Sequence, residues 1–362
     1  MAQAHPQYHS ICILRLSAIG DVCHAVASVQ AIQRTYPQAQ ITWVIGKVEA
    51  MLLGDLPGVK FVIFDKSQGW RAFLQLRRAL PQTFDVLLHM QVALRANIAA
   101  KMIRAKHKVG FSKQLSKELH SWVVDEHINM PARPHVLEGF QAFAHAIGVP
   151  RFEARWHIPI SQQDMNWALN YRQAEKPLLV IAPAASKAER NWLAERYAQL
   201  AEHAVAKGFQ VILTGGPSEM EKALAKAIES FCSADVLNLV GQSHLKQLLA
   251  MLNVADVVVA PDTGPAHMAV TQGTPVIGLY AHSNPARTGP YTWQSYVVEV
   301  YQQHVVQQHG LPVEQLAWGT RVKGQDLMAD ISVQRVVDMF DKVTEEHGLL
   351  IKNTQTMAEN LI

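Results

Sequence analysis

The chain has 362 residues, 49% of them apolar and 17% charged, which is the balance of a compact folded protein and excludes a disordered one. Against 30 Asp and Glu stand 33 Lys and Arg, a formal charge of +3 that is too mild to point to nucleic acid. Three scattered cysteines (Cys12, Cys23, Cys232) form no CxxC or Cys/His cluster, so neither a disulfide framework nor a cysteine-based zinc site is expected, and a reducing compartment is the default.

Met1 to Ser10 is polar, and the first apolar stretch, Ile11 to Leu16, contains Arg15, unlike a signal peptide. No apolar run approaches the roughly 18–20 residues of a transmembrane helix, so a cytosolic protein is expected, able to sit on a membrane surface. Ile11–Leu16 reads as a buried strand, Ser17–Asp21 as a turn and Val22–Thr35 as an amphipathic helix. Strands follow at Ile41–Ile45 and Lys60–Phe64, a helix at Arg71–Leu80, a strand at Asp85–His89, a short helix at Ile98–Ile103, and a strand and turn at Lys108–Phe111. Residues 112–134 read as irregular, and Val136–Ile147 as a helix stopped by Gly148. The pattern then restarts. Strands at Leu178–Ile181, Gln210–Leu213, Val257–Ala260 and Pro275–Tyr280 alternate with helices at Asn191–Lys207, Glu219–Phe231, Ser243–Asn253 and Pro265–Gln272, and a late helix spans Val333–Glu346. Two successive βαβ series predict an α/β protein of two doubly wound parallel sheets. The expected domains are residues 1–160 and 177–335, with 161–176 as connector and 336–362 as a final helix and tail. Ligands of such sheets bind beyond the carboxyl ends of the strands, so the crevice between the domains is the expected site.

Five loops could carry chemistry. Ser17-Ala18-Ile19-Gly20-Asp21 follows the first strand, where Asp21 is either a helix N-cap or a carboxylate available as a general base. Neither a GxGxxG fingerprint nor a P-loop is present. Pro261-Asp262-Thr263-Gly264-Pro265-Ala266-His267 ends a strand and opens a helix whose free N–H groups could hold an anion; His267 could equally be a core histidine. After Thr214-Gly215-Gly216-Pro217, Glu219 and Glu221 suit the helix dipole and could also bind a ribose diol. In the loop Ala182 to Trp192, Lys187 and Arg190 put positive charge above a strand end, which is either a solvated basic turn before a helix or the charge a diphosphate leaving group needs when no metal is used. The basic region Arg95, Arg104, Lys106, Lys108, Lys113 and Lys117, with His107 and His120, is either a solvated face or a site for an anionic acceptor or phospholipid. It has no interleaved aromatics, which disfavours single-stranded nucleic acid.

Together these motifs resemble glycosyltransferase family 9, the ADP-heptose:lipopolysaccharide heptosyltransferases. Ile13 to Val22, Gly215 to Glu219 and Asp262 to His267 carry the resemblance, and the basic loop Lys187 to Trp192 joins them, over about residues 10 to 345. It implies the GT-B fold, two Rossmann-like domains facing across a cleft. It also implies inverting, metal-independent transfer of heptose from ADP-heptose to the inner core of lipopolysaccharide, with no cofactor. The N-terminal domain would hold the acceptor and the C-terminal domain the nucleotide sugar. By the same resemblance Asp21 is the general base. Arg190 neutralises the diphosphate where the family often has Lys, with Lys187 as its rival. Thr263 and Gly264 bind diphosphate through backbone amides, and Asp262 accepts a sugar hydroxyl. Ser186 and His267 line the donor site, and Glu219 or Glu221 is the ribose ligand. Arg95, Lys106, Lys117 and His135 are acceptor candidates. His135 and the basic tract lean toward addition of the first heptose to Kdo of lipid A. The expected partners are the donor, that acceptor and the cytoplasmic face of the inner membrane. A nucleotide-sugar epimerase, a nicotinamide oxidoreductase and a non-catalytic ADP-sugar binder are the alternatives.

Overall fold

A computed structural model describes residues 7–113 and 120–349. The chain divides into two compact units between Pro159 and Ile160. In the first unit the order is β1 (Ser10–Leu14), α1 (Ile19–Thr35), β2 (Gln40–Gly46), α2 (Lys47–Leu53), β3 (Val59–Phe64), α3 (Arg71–Ala79), β4 (Thr83–His89), α4 (Leu94–Met102), β5 (Arg104–Gly110), β6 (Glu126–His127) and α5 (Val136–Ala146). The second runs α6 (Gln162–Tyr171), β7 (Leu178–Ile181), α7 (Ala194–Ala206), β8 (Gln210–Leu213), α8 (Glu219–Phe231), β9 (Val236–Asn238), α9 (Leu245–Val254), β10 (Val257–Pro261), α10 (Gly264–Gln272), β11 (Val276–Tyr280), α11 (Pro285–Thr288), β12 (Val297–Glu299), α12 (Tyr301–His309) and α13 (Val333–Glu346).

Each unit has one six-stranded parallel sheet, ordered β3-β2-β1-β4-β5-β6 and β9-β8-β7-β10-β11-β12. Both orders reverse direction once, between β1 and β4 and between β7 and β10, and at such a switch point the loops part to leave a crevice. The central strands are covered on both faces and therefore read as unbroken apolar runs: Ile11 to Leu14 and Leu178 to Ile181 have no solvent exposure. Burial pushes the thiols of Cys12 and Cys23 far above the ordinary range, so both behave as small apolar side chains.

Several elements differ from the sequence expectation. The stretch read as a connector carries α6, capped by Ser161, whose hydroxyl accepts from the Asp164 N–H. The helix expected from Asn191 starts at Ala194, after a short 3-10 turn, Ala188–Arg190, that holds the basic loop. The final helix α13 belongs to the core of the second unit: Val336, Phe340 and Val343 are fully buried there, and Phe340 packs edge-on to Phe209 at 5.0 Å. The basic tract is also more regular than expected, since Arg104 to Gly110 forms β5.

Candidate active site

In the first unit the β1–β4 switch point is closed by polar contacts. Arg15 leaves the end of β1, where Nη1 donates to the Met90 carbonyl at 2.7 Å, and its guanidinium lies over the Phe140 ring at 5.4 Å. The Leu16 N–H donates to Gln91 Oε1 at 2.8 Å, tying the loop after β1 to the loop after β4. The Ser17–Ala18 peptide of this loop is cis.

Asp21 sits in the first turn of α1, three residues past the N-cap Ala18 rather than at the cap itself. Its Oδ2 accepts from the Ala18 N–H at 3.2 Å and pairs with Arg15 Nη2. Among the described residues nothing engages Oδ1, and the side chain keeps about a third of its exposure. One carboxylate oxygen is thus anchored and the other open, as a base that must take a proton from a bound hydroxyl requires. Glu49 is buried in the first turn of α2, and burial, with the nearby Asp21 charge, pushes its carboxyl up although Lys66 and Arg15 pull it down.

His120, read in the sequence with the basic region, is instead buried and paired with His89, a pairing the sequence did not suggest. His89, the last residue of β4, and His120 both reach Asn97 Oδ1, at 2.7 and 3.1 Å, and their rings lie 4.5 Å apart. The Phe111 N–H donates to His120 Nε2 at 3.0 Å, so that nitrogen accepts and His120 donates through Nδ1. Gly110 is required beside it, because a Cβ there would come within 2.5 Å of His120 Nε2. Burial holds His89 down to about 3 and His120 down to about 4. An unfolded histidine titrates near ~6.5. The unfolded chain therefore takes up protons first, and the stability that the neutral rings provide is full above pH ~6.5 and lost as pH falls through the folded values. Thermal melts should fall steeply below pH 6.5, and His89→Gln should flatten the fall by about 1.4 kcal/mol per pH unit. Parallel pH profiles for the two proteins would contradict this.

The acceptor candidates divide. Arg95 lies exposed in the first turn of α4, directly after β4 and so at the same sheet end as Asp21. His135 is the N-cap of α5: its Nδ1 accepts from the Leu137 N–H, and its ring packs edge-on against His24, one turn along α1 from Asp21, at 5.2 Å. Lys106 is not at this end. It pairs with Asp85 at 2.7 Å, and the Asp85 carboxylate also accepts from the His9 and Ser10 N–H groups at the amino end of β1. Lys106 with these amides holds the Asp85 carboxyl well below the usual range. Lys117 lies outside the described residues.

In the second unit the β7–β10 switch point gathers most of the donor candidates. Thr263 is the N-cap of α10, and its hydroxyl donates across the crevice to the Ala184 carbonyl at 3.3 Å. The N–H groups opening α10 have no partner within the helix, and Gly264 leaves them open to a close anion. Pro265 suits this first turn because it has no N–H to satisfy. His267 is buried on the inner side of α10. Asp262 is oriented by Ser283, whose hydroxyl donates to Oδ2 at 2.5 Å. Arg190 lines the same recess as Asp262, Tyr280 and Ser283. His282 fixes its turn: Nε2 donates to the Glu189 carbonyl at 2.9 Å. Lys187 and Ser186 are exposed at the mouth of the loop, with Lys187 3.5 Å from Glu189. Sequence reasoning passed over Ser283 and His282, which follow β11 without a motif of their own.

The two glutamates are separated by their positions. Glu221 folds back over the end of β8, its carboxylate accepting from the Gly216 N–H at 2.9 Å and from the Ser218 hydroxyl at 2.6 Å. Glu219 points to solvent, beside Lys222 at 3.2 Å. Among the described residues no group of three or more His, Cys, Asp or Glu is placed to hold a metal, and no helix is long and apolar enough to cross a membrane.

The profile of glycosyltransferase family 9 (heptosyltransferase) matches residues 73–315. The chain is 44% identical over 335 residues to the lipopolysaccharide core heptosyltransferase OpsX of Haemophilus influenzae, covering 92% of this chain and 96% of that protein. Among solved structures, a family 9 glycosyltransferase from Veillonella parvula superposes with a TM-score of 0.77 at 20% identity, over 94% of this chain and 99% of the other. The Escherichia coli heptosyltransferase WaaC with ADP superposes at 0.71 and 18% identity, over 92% and 99%. These two likenesses establish the GT-B architecture, and the identity to OpsX and the family profile establish the lineage. The chain belongs to glycosyltransferase family 9 and is a heptosyltransferase.

Proposed function

We propose that the protein transfers heptose from ADP-heptose to the Kdo/heptose inner core of lipopolysaccharide, with inversion and without a required metal, adding the first heptose to Kdo of lipid A. The observation that carries the reading is the pair of switch-point crevices, one holding an anchored carboxylate with a free oxygen and the other a helix N-terminus beside Arg190 and Asp262. The names of relatives such as OpsX support the lipopolysaccharide core as acceptor, and the ADP bound to WaaC supports the donor.

In this mechanism Asp21 Oδ1 takes the proton from the acceptor hydroxyl as its oxygen attacks the anomeric carbon. The bond from that carbon to the diphosphate breaks on the opposite face, which inverts the centre and releases ADP. Charge developing on the diphosphate falls on Arg190, Lys187 and the N–H groups of Thr263 and Gly264. Asp262 accepts from a sugar hydroxyl, and Glu221 accepts from the ribose diol. By this reading Arg95 contacts the anionic acceptor, and His135, buried as the cap of α5, lies behind that contact. The enzyme works on the cytoplasmic face of the inner membrane.

A thermal-shift series with ADP, UDP and NAD, with and without EDTA, tests the donor half. A ligand at 100 times its dissociation constant stabilises by about 2.7 kcal/mol, and ADP alone should do so, unaffected by EDTA. Glu221→Gln should weaken the ADP response by about tenfold in affinity, the scale of one charged hydrogen bond, and Glu219→Gln should leave it unchanged. A UDP preference, or an effect of Glu219 alone, would overturn the assignment.

A further inference from the structure

We propose that Glu49 is a further substrate-binding residue, whose carboxylate accepts from a hydroxyl of the acceptor sugar other than the one that attacks, a role that rests on Asp21 being the base. Glu49 stands in the first turn of α2, directly after β2, and Asp21 in the first turn of α1, after β1. The two strands are parallel neighbours, so both carboxylates belong to the same end of the sheet. The Glu49 side chain folds back over Gly46, where a Cβ would collide with both Glu49 Oε2 and the Leu16 carbonyl oxygen. Leu16 leads into the loop that reaches Asp21, and the Gly46 N–H donates to its carbonyl at 2.9 Å. The Glu49 carboxyl thus packs beside the base-bearing loop, in space that the glycine at 46 leaves open.

That carboxyl has no partner to justify its burial. Glu49 is only 9% exposed, and among the described residues the one hydrogen bond its carboxyl accepts is from its own backbone N–H. The neighbouring cations are engaged elsewhere: Arg15 with Asp21 and the Met90 carbonyl, Lys47 with Asp65. Burial pushes the carboxyl up; the charges of Lys66 and Arg15 offset this only in part, and that of Asp21 adds to it. A buried carboxylate in this condition destabilises the free protein. The dipole of α2 favours an acid in this turn, but it favours an exposed one equally well. A group held against the interest of the fold marks a place where function sets the sequence. A sugar supplies what is missing, since each of its hydroxyls is a donor and a carboxylate can accept several. An acceptor sugar with several hydroxyls would give the proton of one to Asp21 and hydrogen-bond through another to Glu49, which fixes the hydroxyl that attacks.

Glu49→Gln keeps the shape of the side chain and removes its charge. At saturating ADP-heptose it should raise the KM for the Kdo-bearing acceptor by about tenfold, the scale of one charged hydrogen bond, and leave kcat within about twofold. Its melting temperature at neutral pH should equal or exceed that of the wild type. The gain should vanish as pH falls below the ordinary carboxylate range, because only the ionised form is costly to bury. Calorimetric binding of the deacylated Kdo-bearing acceptor, without donor, reads the contact independently of turnover and should weaken by the same factor. Wild-type KM and binding in Glu49→Gln would overturn the proposal, as would a wild type that does not bind this acceptor. A lower melting temperature at neutral pH would assign Glu49 to the fold, and a loss of kcat equal to that of Asp21→Asn would assign it to proton transfer; either overturns the binding role. Binding that depends on Glu49 in a protein that transfers no heptose would overturn the proposed function and leave the contact standing.

Discussion

Asp21→Asn should lower the rate of heptose transfer by about 10²–10⁴, the usual cost of losing a general base, while ADP binding stays intact. The substitution is a clean probe because the two oxygens have different tasks. Oδ2 carries the contacts to Arg15 and the Ala18 N–H, and the amide oxygen of Asn can keep them. The open Oδ1 position becomes an NH2, which cannot accept a proton. Folding should change little, since the side chain is partly exposed and its charge is screened. Steady-state transfer and ADP thermal shift, measured on the same preparation, separate the outcomes. Near-normal turnover would remove Asp21 from the base role, and the buried carboxyl of Glu49 in the same corner would be the next residue to examine.

Arg190→Ala should cost about 10²–10³ in transfer rate, the range seen when one donor to a developing oxyanion is removed. The loss should be larger than that for Lys187→Ala. Arg190 is half-buried in the recess with Asp262, on a turn that His282 fixes, whereas Lys187 is exposed beside Glu189 and its charge is screened. Arg190→Lys should recover part of the rate, because charge is restored but the two-pronged geometry is not. Single-turnover transfer at saturating donor reads the effect directly. If Lys187→Ala shows the large loss and Arg190→Ala the small one, the two roles exchange.

Much of this architecture was legible in the sequence because the central strands are buried on both faces. Ile11–Leu14, Leu178–Ile181 and Val257–Ala260 leave no other reading, and the loops singled out do follow strands. What was missed lacked that contrast. Helix α6 buries only Asp164 and Ala168, and α12 only Tyr301, His304 and Val305, so neither shows a strong apolar stripe. In β5 the charges of Arg104, Lys106 and Lys108 hid the strand alternation with Ala105, His107 and Val109. At the site, a cluster of cations in sequence says nothing about which end of a sheet each one reaches. The register that pairs Phe84 with Ala105 puts Lys106 beside Asp85, away from Asp21. The His89–Asn97–His120 set joins residues from three elements and has no spacing to detect. Arg15 did carry a signal, a lone charge in an apolar strand, which the structure explains through Asp21 and Met90.

The most direct measurement is ADP release from ADP-heptose with three acceptor conditions: none, Kdo-bearing lipid A, and the same acceptor already carrying its first heptose. Release that requires the Kdo-bearing acceptor, yields the heptosylated product and persists in EDTA is the result expected of a transferase adding the first heptose. Equal release without any acceptor, or conversion of ADP-heptose with no sugar transferred, would contradict it.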